Sequence, residues 1–255
     1  MAESKIGSEL LKPERVDILG FPIDRVTIEQ TRTFFSQTLL SSERKTKLVL
    51  TADSNAFVSA RNDPKYKRIF SEASLITPDS AGPVWALSRL GKTVPGRVSG
   101  VDLLEVLCQL SVENSSRIFF LGSAPGVAEK AVEKLKEKYP KMVVAGVRDG
   151  FFAKSEDSTV AKAIAATEPD ILVVAMGMPR QELFILDTAE IIRAKIGIGV
   201  GGSLDVHSGT VKRAPKLIQK LGAEWLWRFI LNPRKIAKVK NLPVFFFRVR
   251  RMKIK

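Results

Sequence analysis

The chain has 255 residues, 45% of them hydrophobic, and a formal charge of +14, enough length for one large core plus an appendage. Its single cysteine, Cys108, excludes an intrachain disulfide and a cysteine-based metal cluster, and points to a reducing compartment. No window holds 18 uncharged apolar residues, so no membrane-spanning helix is expected, and the opening residues lack the apolar stretch of a signal peptide.

Taken in chain order, short apolar runs predict buried strands over residues 16–21, 46–51, 74–78, 117–122, 142–147, 170–176 and 195–200. Helical patterns lie between most of them. Val127, Ala131, Val132 and Leu135 mark one face of a helix after Gly126; Val160, Ala163, Ile164 and Ala165 mark another after Ser155. Repeated strand–helix–strand units predict an α/β fold, a mostly parallel Rossmann-like sheet with helices on both faces. Residues 210–255 differ in kind. They hold 14 Lys and Arg against one acid, Glu224, so all but +1 of the net charge belongs to them. The expected organisation is a catalytic α/β domain over 1–209 and a basic, helical, aromatic C-terminal appendage over 210–255.

In such sheets, ligands bind outside the carboxyl ends of the strands. Five polar or glycine-rich segments follow the predicted strands: Thr51-Ala-Asp-Ser-Asn55, Thr77-Pro-Asp-Ser-Ala-Gly82, Gly122-Ser-Ala-Pro-Gly126, Gly177-Met-Pro-Arg-Gln-Glu182 and Gly199-Val-Gly-Gly-Ser-Leu-Asp205. Five such ends around one crevice imply a substantial polar ligand. The turn beginning at Gly122 can hold a phosphate on its amides, or can simply be a tight turn; it matches neither a Walker loop nor GxGxxG. Asp79 can cap a helix or act as a general base at the sheet edge. Thr51 can touch a ligand or finish its strand. Glu182 suits a first helical turn, whereas the Gln181 amide can read a base or a sugar. His207 is the only histidine, which removes a His-based metal site; its role is left between chemistry and structure. No Asp-x-Asp pair, Cys/His metal spacing or Gly-x-Ser-x-Gly elbow occurs.

The appendage mixes its charges with Trp225, Trp227, Phe229 and Phe245 to Phe247, six of the chain's 19 aromatics. Basic residues interleaved with Trp and Phe suit an anionic membrane surface. Nucleic acid is the rival partner, and a nucleotide- or nucleic-acid-binding module is the rival function. The triple Phe favours lipid, because exposed apolar rings are expected to insert; the plainer alternative is a solvated basic helical extension partly packed on the body.

Six runs in order carry a resemblance: Asp17-Ile-Leu-Gly20; Arg97-Val-Ser-Gly-Val-Asp102; Gly177-Met-Pro-Arg-Gln-Glu182; Gly199-Val-Gly-Gly-Ser-Leu-Asp205 with Gly209; Lys212-Arg-Ala-Pro215; and Glu224-Trp-Leu-Trp-Arg228 followed by Pro233-Arg234. Over these the chain resembles the WecG/TagA/CpsF glycosyltransferases, and is most similar to the TagA branch, which makes the linkage unit of wall teichoic acid. The resemblance implies metal-independent, inverting transfer of N-acetylmannosamine from UDP-N-acetylmannosamine to the 4-hydroxyl of undecaprenyl-diphosphate-linked N-acetylglucosamine, with no cofactor. A sibling donor, UDP-N-acetylmannosaminuronic acid or UDP-glucose, is the alternative. It further implies Asp79 as the base and Thr51 as a contact to the sugar or acceptor, the two forming the catalytic set. It implies Gln181, Arg228 and Arg234 as substrate contacts; Asp53, Asn55, Arg97, Gly122, Glu182, Gly201 and Asp205, in the strand-end segments and quoted runs, are the further candidates. Ser80 follows Asp79 where the family usually has glycine, and Asp53 stands where asparagine is common. The implied setting is cytoplasmic, peripheral on the inner face of the bacterial membrane, with self-association possible and no nucleic-acid partner expected. On this reading the appendage completes the crevice with Arg228, and deleting residues 210–255 abolishes turnover even on a water-soluble acceptor.

Overall fold

The computed structural model describes residues 10–215 and 241–252. Six strands form a parallel sheet in the order β4-β3-β8-β7-β5-β6. They are β3 (Lys47–Ala52), β4 (Leu75–Pro78), β5 (Arg117–Gly122), β6 (Val143–Arg148), β7 (Ile171–Ala175) and β8 (Ile196–Gly199). Each coincides with a run expected from the sequence, to within two residues at either end. The remaining run, 16–21, does not join this sheet. It splits into β1 (Arg15–Ile18) and β2 (Phe21–Asp24), an antiparallel hairpin. The reason is local: Leu19 and Gly20 both take positive φ, +58° and +87°, and the Asp17 carboxylate accepts a hydrogen bond from the Gly20 amide at 2.8 Å. The hairpin is fastened to β4 by Asp24, whose buried carboxylate accepts from Arg15 and from the Ile76 amide at 2.7 Å.

Strand residues alternate between two apolar layers, as a period of two requires. On β5, Ile118 and Phe120 face one layer, and Phe119 and Leu121 the other; on β7, Ile171 and Val173 oppose Leu172 and Val174. One layer is covered by α1 (Ile28–Leu40), α5 (Gly100–Asn114), α6 (Val127–Lys138) and α9 (Ser203–His207). The other is covered by α2 (Ser54–Ala60), α3 (Pro64–Glu72), α4 (Ala81–Arg89), α7 (Asp157–Ala165), α8 (Arg180–Ile192) and α10 (Asn241–Arg250). Helices on both faces of a parallel sheet make the fold Rossmann-like α/β, as expected. The buried face of α7 is Val160, Ala161 and Ile164; Ala163, expected there, is exposed. Cys108 lies in the α5 core, where burial pushes its thiol up to about 12, so it packs as an inert apolar side chain.

The C-terminal helix α10 packs against α2 and α4. Phe245 and Val249 are fully buried in the layer that also holds Phe57 and Phe70. Phe246 lies 4.7 Å from the Trp85 ring, and only Phe247 is exposed, at 56%. From sequence, lipid is the favoured partner for these rings and packing on the body the alternative; helical phase turns two of the three into the protein and leaves Phe247 outside. Glu224, Trp225, Trp227, Arg228, Phe229 and Arg234 lie outside the described residues. Among the described residues, no helix is long and apolar enough to cross a membrane.

Candidate functional site

Because all six strands run parallel, their carboxyl ends share one edge, and the sequence-predicted residues gather there. Thr51 and Thr77 are register partners near the ends of β3 and β4, and Asp79 follows β4 directly. The Asp79 amide donates to Ala52 O at 3.1 Å. The buried Thr51 hydroxyl donates to Gly199 O at 2.9 Å, tying β3 to β8. Gln181, 3% exposed at the start of α8, then ties β8 to β7: its Oε1 accepts from the Gly177 amide at 3.0 Å and the Gly201 amide at 3.1 Å. Its Nε2 donates to Glu182 Oε1 at 2.6 Å. Ser123, after Gly122 at the end of β5, donates its amide to Ala175 O at 2.8 Å. The carboxyl ends from β4 to β5 are thus joined in one hydrogen-bonded row.

This row explains Gly199. A Cβ there would lie 2.4 Å from Gln181 Nε2 and 2.4 Å from Glu182 Oε1, so the bracket and the glycine require one another. Gln181 holds backbone groups in register at the crevice rather than projecting freely into it. Glu182 is fully buried in the first turn of α8. Tyr66 of α3 is held above the usual phenol range by burial first, with Asp53, Glu182 and Asp63 adding to it.

Two carboxylates stand at the edge, and both accept helix-terminal amides. Asp53 is the N-cap of α2, accepting from Ala56 N at 2.9 Å. Asp79 accepts from Gly100 N, the first amide of α5, at 3.0 Å. It therefore caps not the helix that follows it but one 21 residues on. The two are not equivalent. The side-chain N-cap of α5 is Ser99, whose hydroxyl is 3.4 Å from the Asp102 amide, so α5 does not depend on Asp79 for its start. The positive end of α5 faces the Asp79 carboxylate and complements its charge.

The remaining candidates surround this row. The loop bearing Arg97 runs beside β4, with Val98 N donating to Pro78 O at 2.8 Å and Val98 O accepting from the Thr77 hydroxyl at 3.0 Å. Asp205 lies in the first turn of α9, after Gly201. Arg228 and Arg234 lie outside the described residues. Asn55, on α2, accepts from Asn241 Nδ2 at 2.5 Å, so the head of α10 reaches the crevice rim. No local pattern singled out Asn241. Nor did spacing reveal that Asp102 and Arg213, in two separately quoted runs, form an ion pair at 2.5 Å, with Ser99 donating to the other Asp102 oxygen at 2.6 Å. Among the described residues, no group of three His, Cys, Asp or Glu side chains could hold a metal ion.

His207 packs against α5 and lies 3.4 Å from Val101 O. Burial holds its imidazole below the ordinary value of 6.5, outweighing the Val101 carbonyl, which acts the other way. The folded protein therefore binds this proton less readily than the unfolded chain. The stability contributed by neutral His207 is fully present above the unfolded value and is lost as the pH falls below about 6.5 and through the lower folded value. The chemical-denaturation midpoint is expected to fall between about pH 7 and pH 5.5, and His207→Gln to flatten that fall. Equal slopes in both proteins would remove His207 as its cause.

The profile described as "Glycosyl transferase WecG/TagA/CpsF family" matches residues 16–255. A Staphylococcus aureus protein named N-acetylglucosaminyldiphosphoundecaprenol N-acetyl-beta-D-mannosaminyltransferase is 31% identical over 245 residues, 94% of each chain. A Bacillus spizizenii protein of the same name is 32% identical over 209 residues, 82% of this chain and 80% of its own.

Proposed function

Because the chain belongs to the WecG/TagA/CpsF family and is a glycosyltransferase, we propose that it moves N-acetylmannosamine from UDP-N-acetylmannosamine to undecaprenyl-diphosphate-linked N-acetylglucosamine, inverting the anomeric carbon. The names of the S. aureus and B. spizizenii relatives support the sugar and the acceptor. The structural observation that carries the reading is Asp79: a carboxylate at the polar edge, beside Thr51, on the terminus of a helix that Ser99 already caps.

On this reading the acceptor 4-hydroxyl gives its proton to Asp79 as its oxygen bonds to the anomeric carbon. The bond from that carbon to the UDP oxygen breaks, and UDP leaves with the electron pair. A single displacement gives the β-linked disaccharide lipid, and one base suffices. Thr51 and Gln181 keep the strand ends in register, so the reacting atoms meet at a fixed separation. The turn at Gly122 to Gly126, where α6 begins without a side-chain cap, is our candidate for the donor diphosphate. Arg97, Arg228 and Arg234 supply further cations, which offset diphosphate charge without a metal ion.

The acceptor is a lipid, so the reaction belongs at the cytoplasmic face of the bacterial membrane with the protein bound peripherally. The competing reading, a nucleic-acid-binding module, loses its ground to the family assignment. The test is a donor panel with a water-soluble acceptor analogue bearing a diphosphate and N-acetylglucosamine. UDP-N-acetylmannosamine is expected to exceed UDP-glucose and UDP-N-acetylmannosaminuronic acid by at least about 100-fold in kcat/KM, a floor below the roughly 10⁴- to 10⁵-fold that a site hydrogen-bonding its substrate can reach. Equal or greater use of either rival donor overturns the assignment.

A further inference from the structure

Away from the crevice, the end of α10 meets the β1–β2 turn and the end of α2 around a groove of about 480 Å³. Its walls combine two chemistries. Arg61, Arg248 and Arg251 supply three guanidiniums; Leu19, Phe247 and Met252 supply apolar surface. Among the described residues none of the three arginines has a carboxylate partner, and the buried Nη1 of Arg248 has no hydrogen-bond partner at all. Arg251 stacks over the exposed Phe247 ring, 4.1 Å from its centroid, which fixes the guanidinium plane beside apolar surface. Arg89 adds another cation nearby, donating to Arg250 O at 2.8 Å and closing the end of α10.

A buried, unpaired guanidinium edge is costly unless an anion completes it. Arginine favours phosphate because two parallel N–H groups match two oxygens. Phe247 is one of three large hydrophobics left exposed among the described residues, and it lies at the rim of this groove. An amphiphile with a phosphate head and an apolar body meets both demands; a free phosphate meets only one. The volume lies within the range of small-molecule sites. We propose that this groove binds the phosphate headgroup of an anionic phospholipid, with Phe247 entering the acyl boundary.

The inference rests on the membrane-surface reading and gives it a mechanism of orientation. Asn241, at the other end of α10, is bonded to Asn55 at the crevice rim. Seven residues of helix separate it from Arg248, roughly 10 Å at 1.5 Å per residue. A lipid held in the groove therefore lies roughly 10 Å along α10 from the Asn55–Asn241 contact.

The test uses the full chain and vesicles of phosphatidylglycerol and phosphatidylcholine, with pure phosphatidylcholine as the neutral arm. Each arginine near an anionic leaflet contributes about 1 kcal/mol, or about fivefold. Arg61→Gln/Arg251→Gln is expected to lower partitioning onto the anionic vesicles about 30-fold, and Phe247→Ser several-fold. The charge-matched control Lys154→Gln/Lys162→Gln, in and just before α7, which packs on α8 rather than on α10, is expected to change it less than twofold. Melting curves, which should match the parent, identify any variant that has lost its fold; Phe247→Ser, at an exposed position, then serves as the second probe. Equal losses in the control and the groove variants overturn the site in favour of overall charge. Displacement of bound vesicles by millimolar glycerol 3-phosphate, or an equal loss of RNA binding, overturns the lipid assignment. Turnover of the soluble acceptor is expected to stay at the parent level in the groove variants. Failure of the donor panel with groove-dependent vesicle binding intact would sink the proposed reaction and leave the groove standing.

Discussion

Asp79→Asn is expected to lower kcat on a soluble acceptor by about 10²- to 10⁴-fold, the usual contribution of a positioned general base. The substitution is chosen for what it keeps. An asparagine Oδ1 can still accept from Gly100 N, now at 3.0 Å, so the start of α5 should hold, and Ser99 caps that helix independently. KM for both substrates should move by less than about fivefold, because only the proton acceptor is lost. The parallel change Asp53→Asn removes the charge from the cap of α2 at a neighbouring strand end. It is expected to cost far less, and a larger loss there than at position 79 would exchange the roles of the two carboxylates. Turnover of Asp79→Asn within tenfold of the parent would remove Asp79 as base.

Phe245→Ala is expected to destabilise the protein by about 3–5 kcal/mol, the range for truncating a buried phenylalanine. At 2–4 °C per kcal/mol for a chain of this size, the melting temperature should drop by roughly 10 °C. The ring is fully buried, 5.9 Å from Phe57 and 6.0 Å from Phe246. It fits because Gly82 lets α4 approach α2: a Cβ at Gly82 would lie 1.9 Å from Ser54 Oγ and 3.4 Å from the Phe245 ring. Phe247→Ala, two positions on and exposed, should stay within about 0.5 kcal/mol of the parent. Comparable melting in both variants would detach α10 from the core. The contrast also changes how the appendage can be tested. Deleting residues 210–255 removes α10 with everything before it, so lost turnover in that truncation reports a damaged core as well as a missing Arg228. A point change at Arg228 separates the two.

The parallel sheet was legible because a strand buried on both faces must be apolar throughout, and the runs that became β3 to β8 satisfy that without reference to their neighbours. The hairpin was not. Residues 16–21 have the same apolar character, and the division rests on two positive-φ residues, one of them a leucine, which composition does not reveal. The appendage was legible as charge but not as packing. Phe245 and Val249 are four residues apart and share a helix face, whereas Phe247 lies about 200° round from Phe245. That phase is readable, but which face meets protein depends on a gap between α2 and α4 that other parts of the chain create.

The site divides in the same way. Read residue by residue, the chain reveals which segments end strands, that those ends are polar or glycine-rich, where the charge is concentrated, and which family the motifs resemble. Each follows from local composition or ordered short runs. The partner of each polar group emerges only when distant segments pack together. Thr51 meets Gly199 across 148 residues, Asp102 meets Arg213 across 111, and Asn55 meets Asn241 across 186. Gln181, expected to read a substrate, holds the Gly177 and Gly201 amides. Asp79, weighed as a helix cap and as a general base, accepts from the first amide of α5 rather than from the helix that follows it. These partners are set by strand order: β8 lies between β3 and β7 although it is last in the chain, and no local pattern encodes that placement.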